Sequence, residues 1–492
     1  MRYYRYLFPI FFMLLTTPCM SQEEAAGTTD YRIEAAGSVS TGANTPFWIV
    51  SNRYGLLPLE ADNGYLRTGV FHESNIGENF RWSAGIDVVA STPRYRNVYL
   101  HQLYAEIGYK GFRVAAGSRE NYISLWDSDL SSGDMVQSSN ARPIPEISFS
   151  IPQFILIPFT KGLLQFRGDF AVGRSFEDEY ISRFKSDEQY YIKNGLWHRK
   201  SLFIRFLDAN NGFPLSAVVG IRHNAQWGGI SNDPYLGEQP HSFNDLIRII
   251  LGKSGGTNAS LPDQVNVLGN HYGSYDIKFG YLNPDFNVYV YKQHFFDDAS
   301  GMELYNYPDG LYGIQANIPG FPALNKAVFE FINTRQQSGP AHYIWYDHSI
   351  YPGFGGGSDN YYNSEAYTTG VSYFNRSIGS PLITSPEYNK NGKIGFANNR
   401  IRAFHLGISG YISSRLAYRI LATSVEAWGT MGCPFLKKET SRSYAARISY
   451  RHPNFEDWLF AAELATDRGS LYSDNLGIGL TVTKTGLLGA GK

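Results

Sequence analysis

The chain has 492 residues, with 43 lysines and arginines against 44 aspartates and glutamates. This near balance argues against a nucleic-acid binder, which carries a basic excess. Aromatic residues make up 15% of the chain and glycine occurs 50 times, while charged residues reach only 18%. Soluble proteins usually have about 25% charged residues. The composition is typical of a membrane β-barrel, with aromatic girdles, glycine turns and a polar interior.

The N-terminus has the pattern of a secretory signal peptide. Arg2 and Arg5 precede an apolar run over 7–15, and a cleavage site follows Ser21. We therefore predict a signal peptide over 1–21 and a single barrel domain over 22–492. No later stretch offers the roughly 18 unbroken apolar residues of a transmembrane helix. With Cys19 removed, the mature chain keeps one cysteine and forms no internal disulfide.

Alternation of polar and apolar residues dominates the rest of the chain. In 443–452, for example, Ser443 and Arg447 share one face and Tyr444 and Ile448 share the other. Segments of about ten alternating residues with aromatic ends fit strands that face lipid on one side and a lumen on the other. The pattern predicts an all-β, transmembrane outer-membrane β-barrel of about 18 antiparallel strands. They lie near 31–40, 66–74, 79–90, 99–109, 111–118, 145–154, 163–174, 197–206, 215–224, 273–281, 286–295, 311–318, 326–333, 400–410, 415–424, 443–452, 458–466 and 474–484.

The connections between these strands alternate in length. One side has short turns rich in Pro, Gly, Asn and Asp, and an even strand number places both chain ends on that side. The lumen-facing positions carry both signs of charge, which favours cross-strand ion pairs over a one-sign pore. Whether a barrel of this size conducts depends on a constriction or a folded-in loop. The long outer loops are predicted near 41–65, 119–144, 175–196, 225–272, 334–399 and 425–442.

The stretch GIRHNAQWGG at 220–229 ends the ninth predicted strand. Alternation directs Ile221 and His223 outward and Arg222 and Asn224 into the lumen. We place Trp227 at the rim, where the chain leaves for the next outer loop.

That loop contains one predicted helix. Ser242 is a suitable N-cap, Asp245 stands at the third helical position, and Gly252 is suited to end the helix. We interpret this short helix as a lid or plug element packed over the barrel mouth.

The loop over 342–367 is the strongest binding candidate. It combines Trp345, Tyr346 and Tyr361 with Asp347 and further tyrosines. Aromatic planes stack on the C–H face of a sugar ring, while polar side chains hydrogen-bond its hydroxyls. Alternatively, these aromatics pack the loop against the barrel mouth or belong to the interface girdle. The chain has no HExxH, GxSxG, P-loop or CxxC motif, so we predict no catalytic residues, no metal and no cofactor.

Several stretches spread over the chain are distinctive together, namely TPFWIVSNRYG at 45–55, LSSGDMVQSSNARPIPEISF at 130–149, WHRKSLFIRF at 197–206, GIRHNAQWGG at 220–229, and YIWYDHS with GGSDNYYN at 343–363. Taken together, they resemble the capsule assembly Wzi family of outer-membrane proteins. The resemblance implies an 18-stranded outer-membrane barrel that binds exported capsular polysaccharide and helps hold it at the cell surface. It also implies a lectin, and neither an enzyme nor a simple diffusion pore.

The expected partners are capsular or surface polysaccharide, outer-membrane lipid and lipopolysaccharide, and the barrel-assembly machinery, with no nucleic acid and a monomeric state. Arginines at the mouth suit an acidic capsule, because guanidinium pairs with carboxylates in bidentate fashion. The alternative functions are a porin or transporter for glycans or other nutrients and, third, a barrel enzyme acting on lipid or glycan. The predicted polysaccharide-binding residues are Arg199, Arg205, Arg222, Asn224, Trp227, Trp345, Tyr346, Asp347 and Tyr361.

Overall fold

A computed structural model describes residues 27–93, 95–207, 212–340, 357–389 and 392–489. Eighteen antiparallel strands form one sheet, which closes because the first strand pairs with the last from Asp30↔Leu487 to Ser40↔Gly477. This confirms the predicted strand number and the closed barrel. The predicted signal peptide lies outside the described residues.

Each of the eighteen predicted strands matches one in the structure. Most ends differ by a few residues, but the strand predicted at 415–424 continues to Gly429 and the one predicted at 443–452 already begins at Pro434. In chain order they are β1 (Thr28–Ser40), β2 (Asn63–Ile76), β3 (Phe80–Thr92), β4 (Val98–Tyr109), β5 (Phe112–Ser118), β6 (Glu146–Leu156), β7 (Leu164–Arg174), β8 (Leu196–Leu207), β9 (Leu215–Trp227), β10 (Asn270–Leu282), β11 (Asn287–Phe296), β12 (Gly310–Asn317), β13 (Lys326–Asn333), β14 (Ile401–Ser413), β15 (Leu416–Gly429), β16 (Pro434–His452), β17 (Phe455–Arg468) and β18 (Asn475–Leu487).

Helices are few and short. They are α1 (Phe47–Val50), α2 (Asp178–Phe184), α3 (Phe243–Leu251), α4 (Leu261–Val265) and α5 (Ala299–Met302). Across the described ranges, none of the helices has the length and apolar character that a membrane crossing requires.

The outward face of the barrel is apolar over its middle. On β9, Val219 and Ile221 are 50% and 42% exposed, while the inward Arg222 and Asn224 are buried. The predicted alternation in this strand is confirmed. Such an apolar band is stable only against lipid, so the barrel spans a membrane. Aromatic side chains ring its short-turn end, among them Phe80, Tyr109, Phe206, Tyr281, Phe286, Tyr411, Tyr450 and Phe455.

Loop lengths give the barrel its orientation. The short-turn end, where both described chain ends also lie, faces the periplasm, and the long loops face outside. One predicted long loop, 425–442, is wrong. There β15 and β16 continue as a hairpin up to Gly429↔Pro434. In this hairpin the inward Val425 and Ala427 are apolar and buried in the core, whereas the outward Glu426 pairs with Lys438 across the strands. The pattern is therefore the reverse of the lipid-facing alternation.

The lumen is filled by three inner segments, which we define as the described residues of 41–62, 119–145 and 357–400. In the first segment, the Phe47 amide donates to Asp467 at 2.8 Å, and Trp48 Nε1 donates to Thr423 at 3.0 Å. The segments share one buried core with inward side chains of the wall. This core includes Phe47, Trp48, Leu56, Trp126, Met135, Tyr272, Tyr291, Phe295, Tyr361, Tyr362, Leu382, Phe396 and Val425.

Helix α3 has the predicted N-cap and end. The Ser242 hydroxyl accepts a hydrogen bond from the Asp245 amide at 3.3 Å, and Gly252 closes the helix with φ 60°. Its position differs from the predicted lid over the mouth. Ile249 packs against Trp227 and Leu268, and Trp227 points outward from β9. The helix therefore covers the outer flank of β8–β10, because its apolar stripe meets outward residues of the wall.

Candidate functional site

The two lumen-facing residues of β9 are buried against the inner segments. The guanidinium of Arg222 pairs with Asp134 of the 119–145 segment. Asn224 Nδ2 donates to Tyr272 Oη at 3.4 Å. Both side chains are therefore part of the packed interior of the barrel. A ligand reaches them only if the inner segments move.

Arg199 and Tyr361 are also interior residues. Arg199 pairs with Glu146 at 2.5 Å and with Asp169, which ties β8 to β6 and β7. Tyr361 is fully buried, and its hydroxyl accepts a hydrogen bond from Asn306 Nδ2 at 2.6 Å. Both of these predicted contact residues are thus buried in the packed interior of the barrel.

The remaining predicted contacts are scattered. Trp227 is buried beneath α3 on the outer flank, and Arg205 lies near the periplasmic end of β8. Trp345, Tyr346 and Asp347 lie outside the described residues. Among the predicted residues that the structure describes, the contacts are not brought together in one accessible site.

Hydrogen bonds fix the 119–145 segment to the barrel wall. Glu330 on β13 accepts bonds from Ser131 Oγ and from the Ser132 amide, both at 2.7 Å. Gln293 on β11 accepts from the Met135 amide at 2.8 Å. Because these groups are buried and satisfied, opening the lumen exposes them and costs free energy.

An accessible cleft of about 890 Å³ lies at the outer rim of the barrel. Five outer connections and the upper ends of β4 and β5 line it, so its walls come from parts of the chain far apart in sequence. The volume lies within the range of small-molecule sites. The aromatic lining residues are Tyr95, Tyr99, Phe176, Tyr180, Phe184, Tyr373 and Phe374.

The aromatic side chains of this outer cleft pack on one another around Tyr180 of α2. Its ring lies 5.6 Å from Tyr95, 5.9 Å from Phe184 and 5.3 Å from Phe374, measured between centroids. These contacts hold the rings in fixed orientations, so the cleft offers preformed apolar surface.

Three arginines stand among these rings. Arg142 lies 3.9 Å over Tyr99 and 4.3 Å over Phe374. Arg376 is fixed by Val50 O at 2.9 Å and Leu57 O at 2.7 Å. It also pairs with Glu387 at 3.1 Å, while the exposed Arg96 pairs with Glu179. The outer cleft therefore combines guanidinium and carboxylate groups with aromatic planes.

Glu177 links α2 to the back of the outer cleft. Burial raises the pKa of its carboxyl to about 8, although the hydrogen bond from the Phe374 amide acts to lower it. This carboxyl is therefore largely protonated at neutral pH and adds little charge to the cleft.

These groups suit a sugar chain. Aromatic planes stack on C–H faces, carboxylates and amides bind hydroxyls, and guanidinium groups pair with sugar carboxylates. Within the described ranges, no group of three or more His, Cys, Asp and Glu side chains is arranged to hold a metal ion. Sequence reasoning missed the outer cleft, because the aromatic-plus-arginine pattern in TPRYRNVY at 92–99 and SYFNRS at 372–377 is weak in each loop alone.

A family model described as Capsule assembly protein Wzi matches residues 49–355, more than half of the chain. None of the curated proteins matches the chain. Wzi of Escherichia coli, an outer-membrane, carbohydrate-binding β-barrel involved in group 1 capsule assembly, is similar in structure, with TM-score 0.57 and 11% identity over 92% of this chain and 83% of that chain. At this identity the likeness shows the fold.

Two further structures show a looser likeness. OccK5 of Pseudomonas aeruginosa gives TM-score 0.48 and 8% identity over 95% of this chain and 100% of that chain. The outer membrane protein OprD of the same species gives TM-score 0.46 and 8% identity over 94% of each chain.

Proposed function

The chain belongs to the capsule assembly protein Wzi family of outer-membrane β-barrels, and we propose that it binds exported capsular polysaccharide in the outer cleft and helps hold it at the cell surface. Family membership supports a part in capsule assembly. The carbohydrate binding of the Escherichia coli Wzi barrel supports a sugar ligand.

The observation that carries this proposal is the placement of aromatic planes beside fixed arginines at the outer rim. Tyr180 and Phe374 provide apolar surface, and Arg142 lies against the Phe374 ring. A polysaccharide passing along the rim meets several such groups at once. Weak contacts repeated along a polymer give firm attachment, because each further contact becomes intramolecular.

The filled lumen argues against the alternative of a porin or transporter. A channel requires continuous water between the two ends, whereas the inner segments form a buried core with the wall. A binding role requires no catalytic motif, and we propose that the protein is not an enzyme.

The other predicted contacts and partners stay proposals. Trp345, Tyr346 and Asp347, which lie outside the described residues, are candidates for additional glycan contacts. We also propose lipid and lipopolysaccharide around the apolar band, insertion by the barrel-assembly machinery, and a monomer. Light scattering of the detergent-solubilised protein tests the monomer, because a dimer doubles the protein mass.

Binding of purified capsular polysaccharide to the full chain in detergent tests the proposed function. We expect Tyr180→Ala and Arg142→Gln each to weaken binding by about tenfold, the scale of one lost stacking or charge-assisted contact. Tyr235→Ala is the matched control, because Tyr235 is 97% exposed on a different outer loop. Unchanged affinity in both cleft variants would overturn the assignment of the site.

A further inference from the structure

A second cavity, of about 300 Å³, lies at the opposite end of the lumen. Its lining includes Leu207, Leu282 and Asn317, which are the last residues of β8, β10 and β12. These strand ends lie at the short-turn side, so the cavity belongs to the periplasmic end of the barrel. We call it the periplasmic cavity.

Three cations line this cavity, namely Arg167, Arg205 and Lys278. Their polar partners are uncharged. Arg167 donates to Ile123 O at 2.8 Å, Arg205 Nε donates to Gln165 Oε1 at 2.7 Å, and Lys278 donates to Leu125 O at 2.6 Å. These bonds fix the cations in place without neutralising them.

Aromatic rings that also line the cavity lie against the same cations. Arg205 lies 4.3 Å and Arg167 5.2 Å from the Phe154 ring, and Lys278 lies 4.6 Å from the Tyr289 ring. Stacking on a ring restricts a long side chain and lowers the entropy lost when a ligand binds. The three charges are therefore preorganised around one space.

Within the described residues, carboxylates act on these cations only at longer range, Asp169 and Asp276 on Arg167 and Asp127 on Lys278. In the part of the chain that the structure describes, none of the three cations forms a salt bridge, and no acidic residue lines the cavity. The neighbouring acids are engaged elsewhere, since Asp127 pairs with Lys326 at 3.0 Å and Asp169 pairs with Arg199. Most other lumen arginines contact an acid, as Arg222 does with Asp134.

We propose that the periplasmic cavity binds a carboxylate-bearing sugar unit of an acidic glycan that approaches from the periplasm. The cations pair with the sugar carboxylate, and Ser216, Gln315 and Asn317 offer hydroxyl and amide groups to the sugar hydroxyls. The anion preference follows from the cavity alone. The choice of a glycan rests on the proposed function.

Protection of Lys278 from acetylation, measured by mass spectrometry on the full chain in nanodiscs, tests this inference. The probe is an oligogalacturonate, compared with a neutral maltooligosaccharide of equal length and with inorganic phosphate. We expect the oligogalacturonate to slow acetylation of Lys278 by about tenfold and the neutral sugar to leave it unchanged. Lys326 is the internal control, because it also faces the lumen near the periplasmic end but pairs with Asp127.

Arg205→Gln should weaken this protection by about tenfold, with barrel folding checked by heat-modifiability on a gel. Equal protection of Lys278 and Lys326, or full protection in Arg205→Gln, would overturn the inference. Protection by phosphate at the same concentrations as the oligogalacturonate would overturn the assignment to a sugar. In Tyr180→Ala we expect intact Lys278 protection. A wrong assignment of the outer cleft and a wrong assignment of the periplasmic cavity therefore give different results.

Discussion

Arg222 on the barrel wall and Asp134 of the 119–145 segment form an ion pair in which the two side chains are 1% and 0% exposed. Removing one partner of a buried pair leaves an uncompensated charge and typically costs about 3–5 kcal/mol. This pair is therefore an anchor that holds an inner segment against the wall and keeps the lumen filled.

Arg222→Ala should loosen the packing of the 119–145 segment in the lumen. The variant leaves the Asp134 carboxylate buried without its cation, so we expect the inner segment to leave its packed position for part of the time. Single-channel recordings in planar bilayers should then show intermittent openings that the unmodified protein lacks. Arg468→Ala is the control, because its pair with Asp474 is exposed on both sides and contributes little. If the variant shows no more openings than the unmodified protein, this ion pair does not hold the lumen closed.

Trp227→Ala separates packing from glycan contact. Trp227 is buried against Ile249 of α3, so truncation should cost about 3–5 kcal/mol of local packing. We expect faster hydrogen exchange over 243–251 and unchanged affinity for polysaccharide. Phe243→Ala is the matched control, since that ring lies on the same helix and is 75% exposed. Weaker polysaccharide binding with α3 still protected would restore Trp227 as a glycan contact.

The strands were predictable because membrane and lumen impose opposite demands on successive residues. In β9, the order Ile221, Arg222, His223, Asn224 was enough to assign each side chain to a face. The same signal is reversed beyond the membrane, where the inward Val425 and Ala427 are apolar and buried and the outward Glu426 is charged. For that reason the hairpin around Gly429 was mistaken for a loop.

The outer cleft was not predictable, because its parts meet only in three dimensions. Tyr95, Tyr180 and Phe374 belong to three separate connections, and no local spacing joins them. Arg222 was correctly directed inward by alternation, but its burial depends on Asp134, which is 88 positions away. Alternation gives the direction of a side chain and leaves open what fills the lumen beside it.

The buried carboxyl of Glu177 should make the cleft sensitive to pH. Its pKa is raised to about 8 in the folded protein from an ordinary value of 4.5. The unfolded chain therefore loses a proton between these two values that the folded chain keeps, and the stability of this region falls as pH rises through that window. We expect faster hydrogen exchange over 175–184 at pH 8.5 than at pH 5.5, after correction for intrinsic exchange rates.

Glu177→Gln should remove most of that pH dependence, because the amide stays neutral throughout. The control is Glu188→Gln, which changes an exposed carboxyl in the same outer connection. If Glu177→Gln kept the full pH dependence, another group in this region would be responsible.

Capsule retention on living cells tests the central claim most directly. The measurement compares cell-associated with released capsular polysaccharide in cells whose own copy is replaced by the double variant Tyr180→Ala, Arg142→Gln. The proposed function predicts that capsule moves from the cell surface into the medium while the variant reaches the outer membrane in normal amount, and that Tyr235→Ala cells keep their capsule. Full retention of capsule by cells carrying the double variant would contradict attachment through the outer cleft.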